Sequence, residues 1–326
     1  MHTLILAGFN DFGNGKIQRV NMPEALRKNV LIPVLEALFA VIAWGASFVA
    51  TKVALRYVSP VTVVWLRFAM GVAILGMAMF LREQFAVPAK NEWAYLALLG
   101  FLGITLHQWL QSTGLVTAQA TTSAWIVATI PVFMALLGWL VLGEKLAWRQ
   151  ILGIFLAALG VLSVVAKGDF AVLRAGKVGT VGDILVLLSA PNWAIFSTLS
   201  RRGLKGHPAT WMMFYVMGFG WLFTSVLFLR GPGLGEISHL AWDGWLGIGF
   251  LGIFCSGLAY IFWYDALQVL PVAQTGAFIY LEPLVTVVIA AVVIGEPLLW
   301  SSLLGGGIIL LGVWLVQGGW RHAEQE

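Results

Sequence analysis

Residues 131–160 read PVFMALLGWLVLGEKLAWRQILGIFLAALG, and residues 283–312 read PLVTVVIAAVVIGEPLLWSSLLGGGIILLG. At a constant offset of 152 and without a gap, Pro131 falls on Pro283, Gly143-Glu144 on Gly295-Glu296, and Leu146 on Leu298. Trp148 then falls on Trp300, Leu152-Gly153 on Leu304-Gly305, and Gly160 on Gly312. The match extends upstream, with Trp93 on Trp245, Leu99-Gly100 on Leu251-Gly252 and Leu115 on Leu267. Each copy holds two long apolar runs joined by a Gly-Glu turn, so the chain carries a duplicated unit of membrane-spanning helices.

A membrane helix needs about 20 mainly apolar residues. Ten such runs occur, near 31–52, 59–81, 93–115, 119–142, 149–166, 181–200, 208–229, 243–264, 271–294 and 298–318. The first two runs of each half match more weakly, with Pro60 near Pro208 and Trp44 near Trp193. Because five spans per copy is an odd number, the second copy enters the membrane upside down. The predicted fold is an all-α integral membrane protein of ten transmembrane helices, arranged as two inverted five-helix repeats. The predicted divisions are an N-terminal extension (1–30, expected to be disordered), a first repeat (31–166), a linker (167–180), a second repeat (181–318) and a C-terminal tail (319–326). Met22 precedes a basic stretch, Arg27-Lys28, and is an alternative translation start to Met1.

Composition agrees with a membrane protein. Of the 326 residues 60% are hydrophobic and only 10% charged, against about 25% charged in soluble domains. A β-barrel is excluded, because the run from Thr121 to Gly143 has no charge on any face. The single cysteine, Cys255, allows no intrachain disulfide. The net charge of +4 is not a nucleic-acid signal, since the basic residues lie at the ends of apolar spans. In a ten-span topology one side collects 12 Lys and Arg, among them Arg82, Lys90, Lys145 and Arg201; the other collects six, including Lys52, Lys167 and Arg230. Positive residues stay in the cytoplasm, so both termini are expected inside.

The sequence resembles the EamA-type members of the drug/metabolite transporter superfamily over about residues 30 to 318. The likeness rests on Ile130-Pro131 through Leu142-Gly143-Glu144, on Leu281-Glu282-Pro283 through Ile294-Gly295-Glu296, on Trp44-Gly45-Ala46-Ser47-Phe48 and on Arg67-Phe68. The second half departs from it at Pro191-Asn192-Trp193-Ala194 and lacks an arginine matching Arg67. The resemblance implies an exporter of amino acids, other metabolites or toxic compounds.

Eight of the ten spans are uncharged in their middles; the other two each carry one charge there, which is expensive. Glu282 sits near the middle of the ninth span, where its repeat partner is Ile130; it is a candidate proton carrier, a partner for a substrate amine, or a counter-ion of Arg67. Arg67 is seven residues beyond Pro60 and is a candidate for a substrate carboxylate or for structural pairing. His107 is a second proton-coupling candidate, on a helical face shared with Gly103, Gln111 and Gly114. Pro131 and Pro283 lie mid-membrane and are expected to kink their helices. The Gly-Glu turns read as structure, Gly capping one helix and Glu meeting the amino end of the next. Gly153, Ala157 and Gly160, with Gly305 and Gly312, form small-residue stripes for close packing, with a dimer seam as the other use.

Trp93, Trp148, Trp242, Trp245, Trp300 and Trp320 read as interface anchors. Trp44, Trp125, Trp193, Tyr260, Trp263 and Tyr280 lie deeper, and with Ser47, Gln108, Asn192, Ser197, Ser256 and Gln274 they are candidate lining for a substrate with an apolar body and a polar end. No catalytic constellation, metal cluster, cofactor motif or nucleotide-binding loop is legible. The expected function is alternating-access export of small amphipathic metabolites, neutral or aromatic amino acids foremost, across a bacterial inner membrane. The expected partners are a small-molecule substrate and membrane lipid, with no nucleic acid and as monomer or homodimer. The competing readings are efflux of drugs or toxic compounds and, more remotely, an intramembrane lipid-processing enzyme.

Overall fold

The computed structural model describes residues 30–143, 145–167, 169, 179–270 and 272–318. The expected N-terminal extension, most of the linker, the C-terminal tail, Glu144 and Trp320 lie outside the described residues. Among the described residues ten helices are long and apolar enough to span a bilayer: α1 (Leu31–Ala54), α2 (Pro60–Leu81), α3 (Trp93–Gly114), α4 (Ala120–Val141), α5 (Trp148–Val165), α6 (Val181–Arg201), α7 (Ala209–Arg230), α8 (Trp242–Val269), α9 (Thr275–Val293) and α10 (Trp300–Gln317).

Local chemistry sets their ends. Pro60 is the first residue of α2, where its missing N–H costs nothing. Thr180 and Asp183 cap α6 reciprocally, the Asp183 N–H donating to Thr180 Oγ1 and the Thr180 N–H to Asp183 Oδ2. Gly143 and Gly295 follow α4 and α9 at φ +69° and +67°, a left-handed conformation that a side chain disfavours. The expected acid-to-helix contact is corrected at the second turn. Glu296 does not cap α10, the helix that follows it; it accepts from the N–H groups of Ala120 (2.8 Å) and Thr121 (3.1 Å) and from Thr121 Oγ1 (2.9 Å) at the amino end of α4. Tertiary packing brings an amino terminus from the other half closer than the one next in sequence.

The halves interlock rather than sit side by side. Helix α1 packs on α8 and α9, and its counterpart α6 packs on α3 and α4; α2 packs on α7 and α8, and α7 on α2 and α3; α5 pairs with α10. Exchanging each helix for the one five places on maps this set onto itself, as an approximate two-fold axis in the membrane plane requires. The α5–α10 contact is close along its length. A Cβ placed on Gly153 would lie 2.5 Å from the Gly312 carbonyl oxygen, and one on Gly160 would lie 2.7 Å from that of Gly305. The small-residue stripes therefore face each other within the chain, and the surface considered as a dimer seam is covered.

Two kinds of irregularity recur in both halves. Helix α4 is interrupted at Ala128 and Thr129, just before Ile130-Pro131, and α9 narrows to a 3₁₀ turn at Ile279–Leu281, just before Pro283. Helices α3 and α8 each widen into a π-helical stretch, Phe101–Leu106 and Phe250–Leu258. Shifting the first by 152 residues places it inside the second. Trp148, Trp242 and Trp300 lie exposed at helix ends, as interface anchors do, whereas Trp125 and Trp211 are buried.

Candidate functional site

Arg67 is carried into the protein centre by α2 and is only 5% exposed. Its Nε donates to Ser256 Oγ on α8 (3.0 Å) and its Nη1 to Gln108 Oε1 on α3 (3.2 Å). Its guanidinium carbon lies 5.0 Å from the Phe68 ring centroid. All these partners are neutral. Among the described residues no carboxylate lies within ion-pair distance of Arg67, so the Arg67–Glu282 pair left open by the sequence is not formed. A guanidinium has five N–H donors, and the remaining ones meet no protein acceptor among the described residues.

Trp44 on α1 stands beside this cation. Its Nε1 donates to the Cys255 carbonyl (3.2 Å), and its ring meets Tyr260 edge-on at 5.6 Å and Trp263 at 5.3 Å. Ser47 Oγ donates to the Trp44 carbonyl (2.6 Å). Glu282 begins the second segment of α9 and is half-buried, and no protein group hydrogen-bonds its carboxylate among the described residues. Glu282 joins this group through α1: a Cβ on Gly45, next to Trp44, would lie 2.7 Å from the Glu282 carbonyl oxygen, while Trp44 bonds the carbonyl of Cys255, next to the Ser256 that Arg67 holds. Trp44, Arg67, Tyr260, Trp263 and Glu282 thus converge from four helices, together with Gln108 and Ser256.

His107, Asn192 and Trp193 form a neighbouring group at the α3–α6 seam. The His107 Nδ1 lies 3.2 Å from the Ser189 carbonyl, which can only accept, so Nδ1 carries the proton. The His107 ring packs on Trp193 at 4.5 Å, and Trp193 packs on Phe196 at 4.8 Å. Asn192 Nδ2 donates to the Leu102 carbonyl (2.8 Å), inside the π-helical stretch of α3. The face of Gly103, His107 and Gly114 is the contact with α6: a Cβ on Gly103 would strike Phe196, and one on Gly114 would strike Gly182 and Val186. Gln111, on the same helix, is half-buried.

Two candidates lie elsewhere. Trp125 is 1% exposed and packs over Gly306 of α10, and Tyr280 Oη donates to Gln317 Oε1, also on α10. Both belong to a cluster among α4, α5, α9 and α10, apart from the one that holds Phe68 and Tyr260. Gln274 falls outside the residues whose side chains are described. Sequence reasoning missed three features. Thr286 Oγ1 donates to the Gly45 carbonyl (2.7 Å), tying α9 to α1. Lys52 Nζ donates to the Ala118 carbonyl (2.5 Å) and lies 3.9 Å from Glu296. The π-helical stretches left no signal in composition. Among the described residues no three His, Cys, Asp or Glu side chains cluster as metal ligands.

A model of the EamA-like transporter family matches residues 31–166 and 180–317. An uncharacterized transporter of Archaeoglobus fulgidus is 28% identical over 272 residues, 83% of this chain and 92% of that protein. A probable terminal-alkyne amino-acid exporter of Streptantibioticus cattleyicolor is 27% identical over 286 residues, covering 85% and 90% of the two chains. A solved crystal structure of 21% identity superposes with a TM-score of 0.61, covering 90% of this chain and 98% of the other, which shows a common fold.

Proposed function

The chain belongs to the EamA-like transporter family, a family of transporters rather than enzymes, and from that premise we propose that it exports small amphipathic metabolites, neutral or aromatic amino acids foremost, by alternating access. The observation that carries this reading is Arg67, a buried cation held by neutral partners, one of which, Ser256, follows the Cys255 whose carbonyl anchors Trp44 and its ring cluster with Tyr260 and Trp263. Such a group attracts a carboxylate at a depth where few other ligands compete, and the rings offer an apolar wall for the rest of the molecule. The relative named a probable amino-acid exporter supports the same substrate class.

In this reading the two repeats, 31–166 and 181–318, rock about a site between them, with 167–180 as the connection. The chain sits in a bacterial inner membrane with both termini in the cytoplasm, as monomer or homodimer among lipids, and handles a small molecule without nucleic acid or cofactor. Trp44, Ser47, Arg67, Tyr260, Trp263 and Glu282 form the inner wall. Gln111, Asn192 and Trp193 flank it, and Gln274 is a further substrate-binding candidate. His107 and Glu282 are the candidates for any coupled proton. Breaks at Pro131 and Pro283 shape the helices around the site.

Counterflow in proteoliposomes, with labelled neutral, aromatic, acidic and cationic amino acids, tests the proposal. Exchange of the neutral or aromatic class, competed by its own members, is the expected result. Exchange of lipophilic cations with none of any amino acid would replace this reading by drug efflux, which the aromatic wall also suits.

A further inference from the structure

Arg67 and Glu282 are opposite charges linked through the Trp44-Gly45 and Cys255-Ser256 contacts, and yet they do not pair. The position of Glu282 is fixed from behind. A Cβ on Gly45 would lie 2.7 Å from the Glu282 carbonyl oxygen, and Thr286 Oγ1 bonds both that oxygen (3.0 Å) and the Gly45 carbonyl (2.7 Å). The Glu282 backbone is therefore held at the α1–α9 contact, against the residue next to Trp44. Arg67 is held by Ser256 and Gln108. Each head group keeps hydrogen-bonding capacity that no described residue fills, and none of these atoms is among the sealed, unsatisfied polar atoms of the interior. Both therefore border open space. Trp44 lies between the two points of attachment in the chain of contacts, and its ring packs on Tyr260 and Trp263.

An isolated charge inside a membrane protein is costly until an opposite charge meets it. A monoanion at this site would satisfy Arg67 and leave Glu282 uncompensated, and a monocation would do the reverse. We propose that Arg67 and Glu282 are a split charge pair that reads both ends of a zwitterion, Arg67 taking the carboxylate and Glu282 the ammonium of an amino acid whose side chain lies against Trp44, Tyr260 and Trp263. This inference rests on the transport reading above and sharpens it. Glu282 becomes a specificity-determining residue, and the site discriminates by requiring both charges.

The test is competition against counterflow of L-phenylalanine and L-leucine in proteoliposomes. The competitors are 3-phenylpropionate and 4-methylpentanoate, which lack the ammonium, and phenethylamine and isoamylamine, which lack the carboxylate. In the wild type each is expected to compete at least about tenfold more weakly than its parent amino acid. In Glu282→Gln the amino acids lose their advantage and the amine-less acids gain; in Arg67→Gln the carboxylate-less amines gain instead. Folding of each variant is checked by its gel-filtration profile and melting temperature.

A wild type that accepts the amine-less acids as well as their parents overturns the split pair while leaving transport intact, and this arm needs no variant. Folded variants that lose all ligands alike, with no gain for either analogue class, also overturn it. A wild type that exchanges neither amino acid nor any analogue overturns the amino-acid reading, and this inference with it.

Discussion

Arg67 shows how one residue can be legible in kind but not in role. Its depth follows from counting residues beyond Pro60, but its neutral partners come from α3 and α8, 41 and 189 residues away. Replacing Gln108 by Leu leaves an Arg67 donor without its acceptor inside the membrane. We expect a loss of about 1–3 kcal/mol, read as a lower melting temperature in detergent. Outside the membrane, the His207 imidazole 2.5 Å from Glu92, and secondarily the Ala89 N–H at 2.8 Å, hold the Glu92 carboxyl below its ordinary value of 4.5. A depressed carboxyl stabilises the fold at pH above the ordinary value, and that contribution fades as pH falls through the depressed one. The advantage of wild type over Glu92→Gln, about 0.2–1 kcal/mol for so exposed a pair, is therefore expected at neutral pH and is expected to vanish on acidification. Melting curves from neutral to strongly acid pH check it, and an advantage that persists at the most acid pH contradicts it.

At the scale of the helix, the stripes of α5 and α10 and the breaks before Pro131 and Pro283 were legible, because a glycine spacing and a missing N–H act locally. The π-helical stretches were not. Their hydrogen-bond register depends on what crosses them: Asn192 of α6 donates to Leu102 in α3, and Trp44 of α1 donates to Cys255 in α8. Asn192→Leu is accordingly expected to cost about 1 kcal/mol of stability and to raise hydrogen exchange within 101–106, whereas an effect spread evenly over the chain would argue against a local brace. Close packing gives a sharper contrast. A Cβ at Gly312 would lie 2.5 Å from the Gly153 carbonyl oxygen, while one at Gly307 meets nothing within 4 Å. Gly312→Ala should therefore destabilise by about 1–3 kcal/mol and Gly307→Ala should not. Equal melting temperatures for the two variants would show that α5 and α10 are not held this closely.

For the whole molecule, the interlocked halves make the membrane orientation a single choice. Cys255 is buried and is the only cysteine, so an introduced one reports alone. The positive-inside count places Lys90 in the cytoplasm and Gly235 outside. Gly235→Cys should label in intact cells with a membrane-impermeant maleimide, and Lys90→Cys only after permeabilisation; the opposite pattern would invert the topology. The sequence by itself determined the membrane class, ten spans, the inverted duplication and the two midmembrane charges, since each follows from hydropathy, spacing or repetition along one chain. Only the tertiary structure decided that Glu296 serves α4 rather than α10, that Trp125 and Tyr280 pack with α10, and that Arg67 and Glu282 stay apart. Those outcomes depend on which helices of the opposite repeat lie alongside, and the two-fold interlock sets neighbours that no local pattern encodes.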